Sequence, residues 1–366
     1  MSTLQEILDR HVAAGTAPGI VGVDGAADGT SEIVTAGDLP ADAIVRIQSM
    51  TKPILAVAAL RLVQDGRLSL DDRVERWLPE LGGARVLRTP VSALDDTVGL
   101  AAPITVRHLL TNTSGYGVVA EPSPLQAAMV ENGTAAGQDP VAVGADEWLA
   151  RLASLPLAFQ PGEGWRYHHS FGLLGILLSR LVGGSLDEHL RRDIFSPLGM
   201  IDTGHTVPPE RAHRLPAGYR HDGAGGLVEV EPAAGGFSVA PAPFDVSHSE
   251  LVSTASDYSA FARMLASGGV HDGYAFLDPE LLSRMRADQV PAAVKTPESF
   301  FPGFWDGTGW GFGVMMHTEG AHVGRYGWSG GLGTDFFIDP DGSFRIVMTQ
   351  VEMGPEVMGL FGDIAR

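Results

Sequence analysis

The sequence predicts an α/β (α+β) fold, a sheet built from both chain ends and flanked by helices, with a mostly helical segment inserted between. Two patterns carry this expectation. Short β-rich runs cluster near the N-terminus (Ile20–Val23, Ser31–Thr35, Ile44–Ile47) and return near the C-terminus (Gly311–Met316, Arg325–Trp328, Asp335–Ile338, Phe344–Thr349). Between them, apolar residues recur at helical spacing. Asp341-Gly342 between the last two runs is a hairpin signal.

Taken in order, residues 1–15 give an amphipathic helix with Leu4, Ile7 and Leu8 on one face, and Asp28-Gly29 turns the first two strands. Ile44–Ile47 leads directly into Ser49-Met50-Thr51-Lys52. From Met50, Ile54, Leu55, Ala58, Leu60, Leu62 and Val63 continue at helical spacing to Asp65-Gly66, where glycine suits the position just past a helix end. Pro53 fits a first helical turn, where N–H groups have no intrahelical partner. Further on, Thr105–Leu110 and Phe171–Val182 read as helices. Residues 117–142, rich in Gly, Ala and Pro, read as a long loop or lid, and 204–245 as largely irregular. The division expected is one unit formed by 1–70 and 246–366, an inserted unit at 71–245, and a site between them.

Composition bounds the chemistry. The 366 residues are 44% hydrophobic, enough for a sizeable core, and the formal charge is −19. That balance argues against nucleic acid or an anionic membrane as partner, since both need clustered cations. The chain has no cysteine, which excludes disulfides, thiolate metal sites and cysteine nucleophiles. No basic segment followed by an apolar one opens the sequence, so the expected location is cytoplasmic. No metal and no cofactor is expected, and nothing in the sequence sets an oligomeric state.

Lysine occurs twice, as Lys52 and Lys295. Its scarcity makes Ser49-x-x-Lys52 conspicuous. Residues three apart share a helix face, so the amine reaches the hydroxyl and can take its proton. The plainer reading is that Ser49 caps a helix and Lys52 is an ordinary helical residue. The helix mouth also favours developing negative charge.

Ser49–Pro53, the following LAVAALRLVQDGRLSLDDRVERWLPEL, ITVRHLLTNTSG at 104–115, Pro161-Gly162 with Trp165-Arg166-Tyr167, Pro197–Met200 and LVSTASDY at 251–258 occur in one order along most of the chain. Together they resemble the serine β-lactamase and penicillin-binding-protein-like superfamily, in particular its class C-like esterase and peptidase branch. The resemblance implies an antiparallel sheet flanked by helices, Tyr167 as general base beside Ser49 and Lys52, and an oxyanion hole formed by the N–H groups of Ser49 and Gly331. Tyr167-His168-His169 departs from the branch's Y-x-N pattern at His169. Trp328-Ser329-Gly330 falls where a K-T-G or H-x-G motif is expected. His169, Trp328, Ser329, Gly330 and Asn112 are the expected substrate contacts. Lys295-Thr296-Pro297 spells a similar triplet, but proline disrupts a central strand. Gly327–Gly331 spells G-x-S-x-G, yet a nucleophile elbow needs a helix after it, and a turn and strand follow.

An indole in place of a cation at 328 removes an anchor for a substrate carboxylate. With Phe301, Phe304, Trp305 and Trp310 it suggests an aromatic wall. The expected function is a serine carboxylesterase acting on small neutral esters through an acyl-enzyme. The alternatives are a β-lactamase or a D-amino-acid amidase or peptidase, or a binding protein that keeps the fold without catalysis.

Overall fold

The computed structural model describes residues 2–137, 141–240, 243–244 and 250–366. Helix α1 (Leu4–Ala13) starts at a capping box in which Thr3 and Glu6 satisfy each other's backbone N–H groups. It leads into β1 (Gly19–Ala26) and β2 (Ser31–Gly37), which pair as a hairpin. The chain returns to this sheet 270 residues later, with β3 (Thr308–Trp310), β4 (Met315–His317), β5 (Tyr326–Gly330), β6 (Thr334–Ile338) and β7 (Ser343–Met348). The seven strands lie in the order β3-β4-β5-β6-β7-β1-β2 and every pairing is antiparallel. Gly342, with φ of 84°, closes the turn expected at Asp341-Gly342.

Side chains alternate across a strand, so the sheet has two apolar faces. Helix α1 and the C-terminal helix (Pro355–Ile364) cover the outer face, where Leu4, Leu8, Val347, Leu360 and Phe361 share a cluster. The approach is close: a methyl group on Gly22 of β1 would lie 3.0 Å from Leu8 and 3.1 Å from Leu4. The inner face, with Val21, Val23, Phe336, Ile346 and Met348, joins the main core.

That core is built around α2 (Thr51–Gln64), α3 (His169–Val182) and α4 (Ala255–Ala266). Helix α2 is buried on nearly every side, as expected of a helix apolar around most of its circumference inside a large domain. Tyr258 of α4 packs edge-on to Phe336 of β6 at 5.0 Å and donates its hydroxyl to the carbonyl of Met50. The sheet is thus tied to the start of α2. Among the described residues no single helix is long and apolar enough to cross a membrane.

Among the described residues, 71–245 hold α3, shorter helices and the hairpins of Arg85–Leu87 with Thr97–Gly99 and of Gly218–His221 with Leu227–Glu231. Two expectations need correction. The stretch 117–142 is not one loop: Pro124–Glu131 forms a helix that buries Leu125 and Met129, with Ser123 as its cap and Pro124 at its first position. The second hairpin likewise interrupts the stretch read as irregular. Residues 138–140 of the first stretch, and the boundary expected at 245–246, lie outside the described residues.

Candidate active site

The short pairing of Val45–Arg46 with Val252–Ser253 delivers the chain to Ile47. Gln48 then takes a left-handed conformation, φ 48°, which a non-glycine residue adopts at a cost. A 3₁₀ turn, Gln48–Met50, precedes α2, whose N-cap is Met50. Ser49 therefore does not cap the helix, and its hydroxyl is available for other work. Lys52, one turn on, donates from Nζ to Ser49 Oγ at 2.9 Å. The ammonium is fully buried, and that burial lowers its pKa to about 7, against the opposing pull of the Glu250 charge.

Tyr167 reaches the same point from the other side of the chain. Its segment is held extended: Arg166 N–H donates to the carbonyl of Asn112 at 3.0 Å, and Val118 N–H donates to that of Tyr167 at 2.9 Å. His168, with φ of 92°, turns the chain sharply into α3. The Tyr167 ring centre lies 4.7 Å from Lys52 Nζ, and its hydroxyl is hydrogen-bonded to Ser49. It also accepts from Trp328 Nε1 at 2.7 Å. Burial pushes the phenol pKa up, while the bonds to Ser49 and Trp328 work the other way. Ser49, Lys52, Tyr167 and Trp328, drawn from the turn before α2, α2 itself, the segment before α3 and β5, thus form one connected polar chain.

The end of β5 is fastened beside Ser49. A Cβ on Gly330 would sit 2.2 Å from the carbonyl oxygen of Ile47, so the strand reaches this position only as glycine. Thr334 donates its hydroxyl to that same carbonyl at 3.1 Å. The carbonyl of Gly330, in the same peptide as the Gly331 N–H, accepts from the N–H of Gly333 at 3.1 Å, which helps to orient the expected oxyanion donor.

Three expected substrate contacts are buried or paired within the protein. Ser329 lies opposite Asp335 in the β5–β6 register and donates to it at 2.6 Å. Strand alternation turns this pair to the face away from Trp328, and burial raises Asp335 to about 6. His169 is 1% exposed, its Nε2 bonded to the carbonyl of Thr134 at 2.7 Å and its ring stacked on Trp148 at 5.8 Å. The ring thus packs against the helix Ala145–Ala153. Asn112 is wholly buried in a left-handed turn, φ 58°. Lys295 is paired with Asp288, away from β5.

Behind Tyr167 and Trp328 stands an aromatic wall. Trp310 meets Trp328 edge-on at 4.7 Å, and Trp165 stacks on Tyr167 at 6.1 Å. Phe300, whose ring is 5.1 Å from that of Tyr167, and Trp165 also belong to this wall, beyond the aromatics expected from the sequence. Among the described residues no group of three or more His, Asp or Glu is arranged to hold a metal ion.

Comparison with known proteins gives the family. The sequence model of the Beta-lactamase family matches residues 4–360. Esterase EstB of Burkholderia gladioli is 32% identical over 318 residues, which is 81% of this chain and 74% of that protein. Lovastatin esterase of Penicillium rubens is 30% identical over 321 residues, 81% of this chain and 77% of that one. Among solved structures, EstCE1, described as a hydrolase with promiscuous acyltransferase activity, superimposes with a TM-score of 0.80 over 98% of this chain and 96% of that one, at 22% identity. The chain belongs to the Beta-lactamase family and is an enzyme of its serine-hydrolase type.

Proposed function

We propose that the protein is a carboxylesterase acting on small neutral esters, with Ser49 as nucleophile in a cleft between the sheet and residues 71–245. The connected chain Lys52–Ser49–Tyr167–Trp328 is the observation that carries this reading. With a pKa near 7, Lys52 is largely neutral above that pH and accepts the Ser49 proton as Oγ attacks the ester carbonyl. Tyr167, expected from the resemblance as the general base, is kept protonated by burial; it acts instead as the donor toward the departing alkoxide and is restored by the proton that Lys52 took. The carbonyl oxygen becomes an oxyanion against the N–H groups of Ser49 and Gly331, donors commonly worth about 3 kcal/mol each. The acyl-enzyme ester is then cleaved by water, which loses its proton along the same path, and Ser49 is regenerated.

Position 328 favours esters over substrates anchored by a carboxylate. The indole N–H is engaged with Tyr167 and its ring presents an apolar surface. The two relatives named as esterases support the same reading. The competing reading on this scaffold is a β-lactamase, or a D-amino-acid amidase or peptidase. Parallel assays with p-nitrophenyl butyrate and nitrocefin separate them. Ester cleavage with little nitrocefin turnover is expected, and strong nitrocefin turnover without ester cleavage would overturn the assignment.

A further inference from the structure

We infer that Phe300, carried on a short loop clipped in place by Lys295 and Asp288, selects the alcohol half of the substrate and favours a planar apolar group there. This rests on the ester-hydrolase reading above. A proton donor must reach the leaving oxygen, so the alcohol lies along Tyr167. The Phe300 ring is tilted 46° to the Tyr167 ring at 5.1 Å, and its centre is 6.5 Å from that of Trp328. Deeper in the wall, Trp165 and Trp310 are closed off, at 1% and 0% exposure, whereas Phe300 and Trp328 are only half-buried. Among the aromatic rings of this wall beside Tyr167, Phe300 and Trp328 are the partly exposed ones that a substrate group can meet. An aromatic group placed edge-to-face or offset against them gains more than its buried area alone provides.

The loop is fastened by the second lysine of the chain. Lys295 Nζ pairs with Asp288 and lies 5.5 Å from the ring centre of Trp305. Trp305 in turn donates from Nε1 to Ser299 Oγ at 2.7 Å, immediately before Phe300. The other oxygen of Asp288 accepts from the N–H groups of Trp310 at 3.2 Å and Val290 at 3.1 Å. Trp310 is the residue that stands edge-on to Trp328. One half-buried ion pair therefore connects the loop bearing Phe300 to the support beneath Trp328. Lys295 acts as a positioning residue: it sets where the wall stands and takes no part in proton transfer.

The test compares hydrolysis of benzyl acetate and ethyl acetate by pH-stat titration. Their leaving alcohols are of similar basicity, so the ratio of kcat/KM values reports binding of the ring. The wild-type protein is expected to prefer benzyl acetate by about tenfold or more, the scale of an apolar specificity contact. Phe300→Ala is expected to abolish most of that preference. Lys295→Met is expected to lower it through a raised KM for benzyl acetate, and Lys295→Arg to restore it. A wild-type preference that survives unchanged in Phe300→Ala overturns the inference. So does a Lys295→Met loss that falls equally on both esters, which would mark a structural role only. A wild-type protein that cleaves neither ester instead overturns the underlying esterase reading. Phe300 is half-exposed, so Phe300→Ala remains informative even where Lys295→Met does not fold.

Discussion

At the scale of single residues, the account turns on the protonation of Lys52 and on one N–H group of Trp328. Burial holds Lys52 near 7, below its ordinary 10.5. The neutral amine is the reactive form, so kcat/KM for a neutral ester is expected to rise with pH, about tenfold per unit below 7, and to level above it. The same shift bears on stability. Between about 7 and 10.5 the unfolded chain holds a proton on Lys52 that the fold does not, so this group's contribution to stability improves as pH rises through that window. Trp328→Phe keeps the ring but deletes the donor to Tyr167, and a loss of about tenfold or more in kcat is expected from steady-state kinetics. The sequence made Ser49 and Lys52 legible because their contact is local, three residues apart on one turn. It also singled out Trp328, but as a substrate-facing donor. The partner its N–H takes is 161 residues away, and no local pattern encodes that pairing. The burial of His169 and Asn112 was not legible for the same reason: position in a motif does not disclose which way a side chain is turned.

At the scale of elements, the site depends on how closely β5 approaches the turn before α2. Gly330→Ala would push a methyl group into the Ile47 carbonyl. A loss of stability above about 2 kcal/mol is expected, read as a lowered midpoint in urea, and an unchanged midpoint would contradict the packing described. Long apolar helices such as α2 and α3 were legible from periodicity, and β1, β2, β6 and β7 from β-rich runs bounded by turns. The helix Pro124–Glu131 was not, because the surrounding Gly, Ala and Pro masked its short apolar face. Ser123-Pro124, a cap followed by a first-position proline, was the signal available. The order in which five C-terminal strands join two N-terminal ones depends on long-range packing that residue patterns do not express.

At the scale of the whole molecule, the sheet separates two tasks. Its inner face carries α2 and the candidate site, and its outer face is sealed by the two terminal helices. Leu8→Ala, at a fully buried outer-face position, is expected to cost about 2–5 kcal/mol of stability. Ester turnover at moderate temperature should be retained, as thermal melts and kinetics on one preparation would show. The claim that joins all three scales is that Ser49 is the nucleophile, and covalent labelling addresses it most directly. The protein would be treated with a fluorophosphonate probe, digested and mapped by mass spectrometry. The account expects modification of the peptide carrying Ser49, abolished in Ser49→Ala. Modification at Ser329 with Ser49 untouched would contradict it.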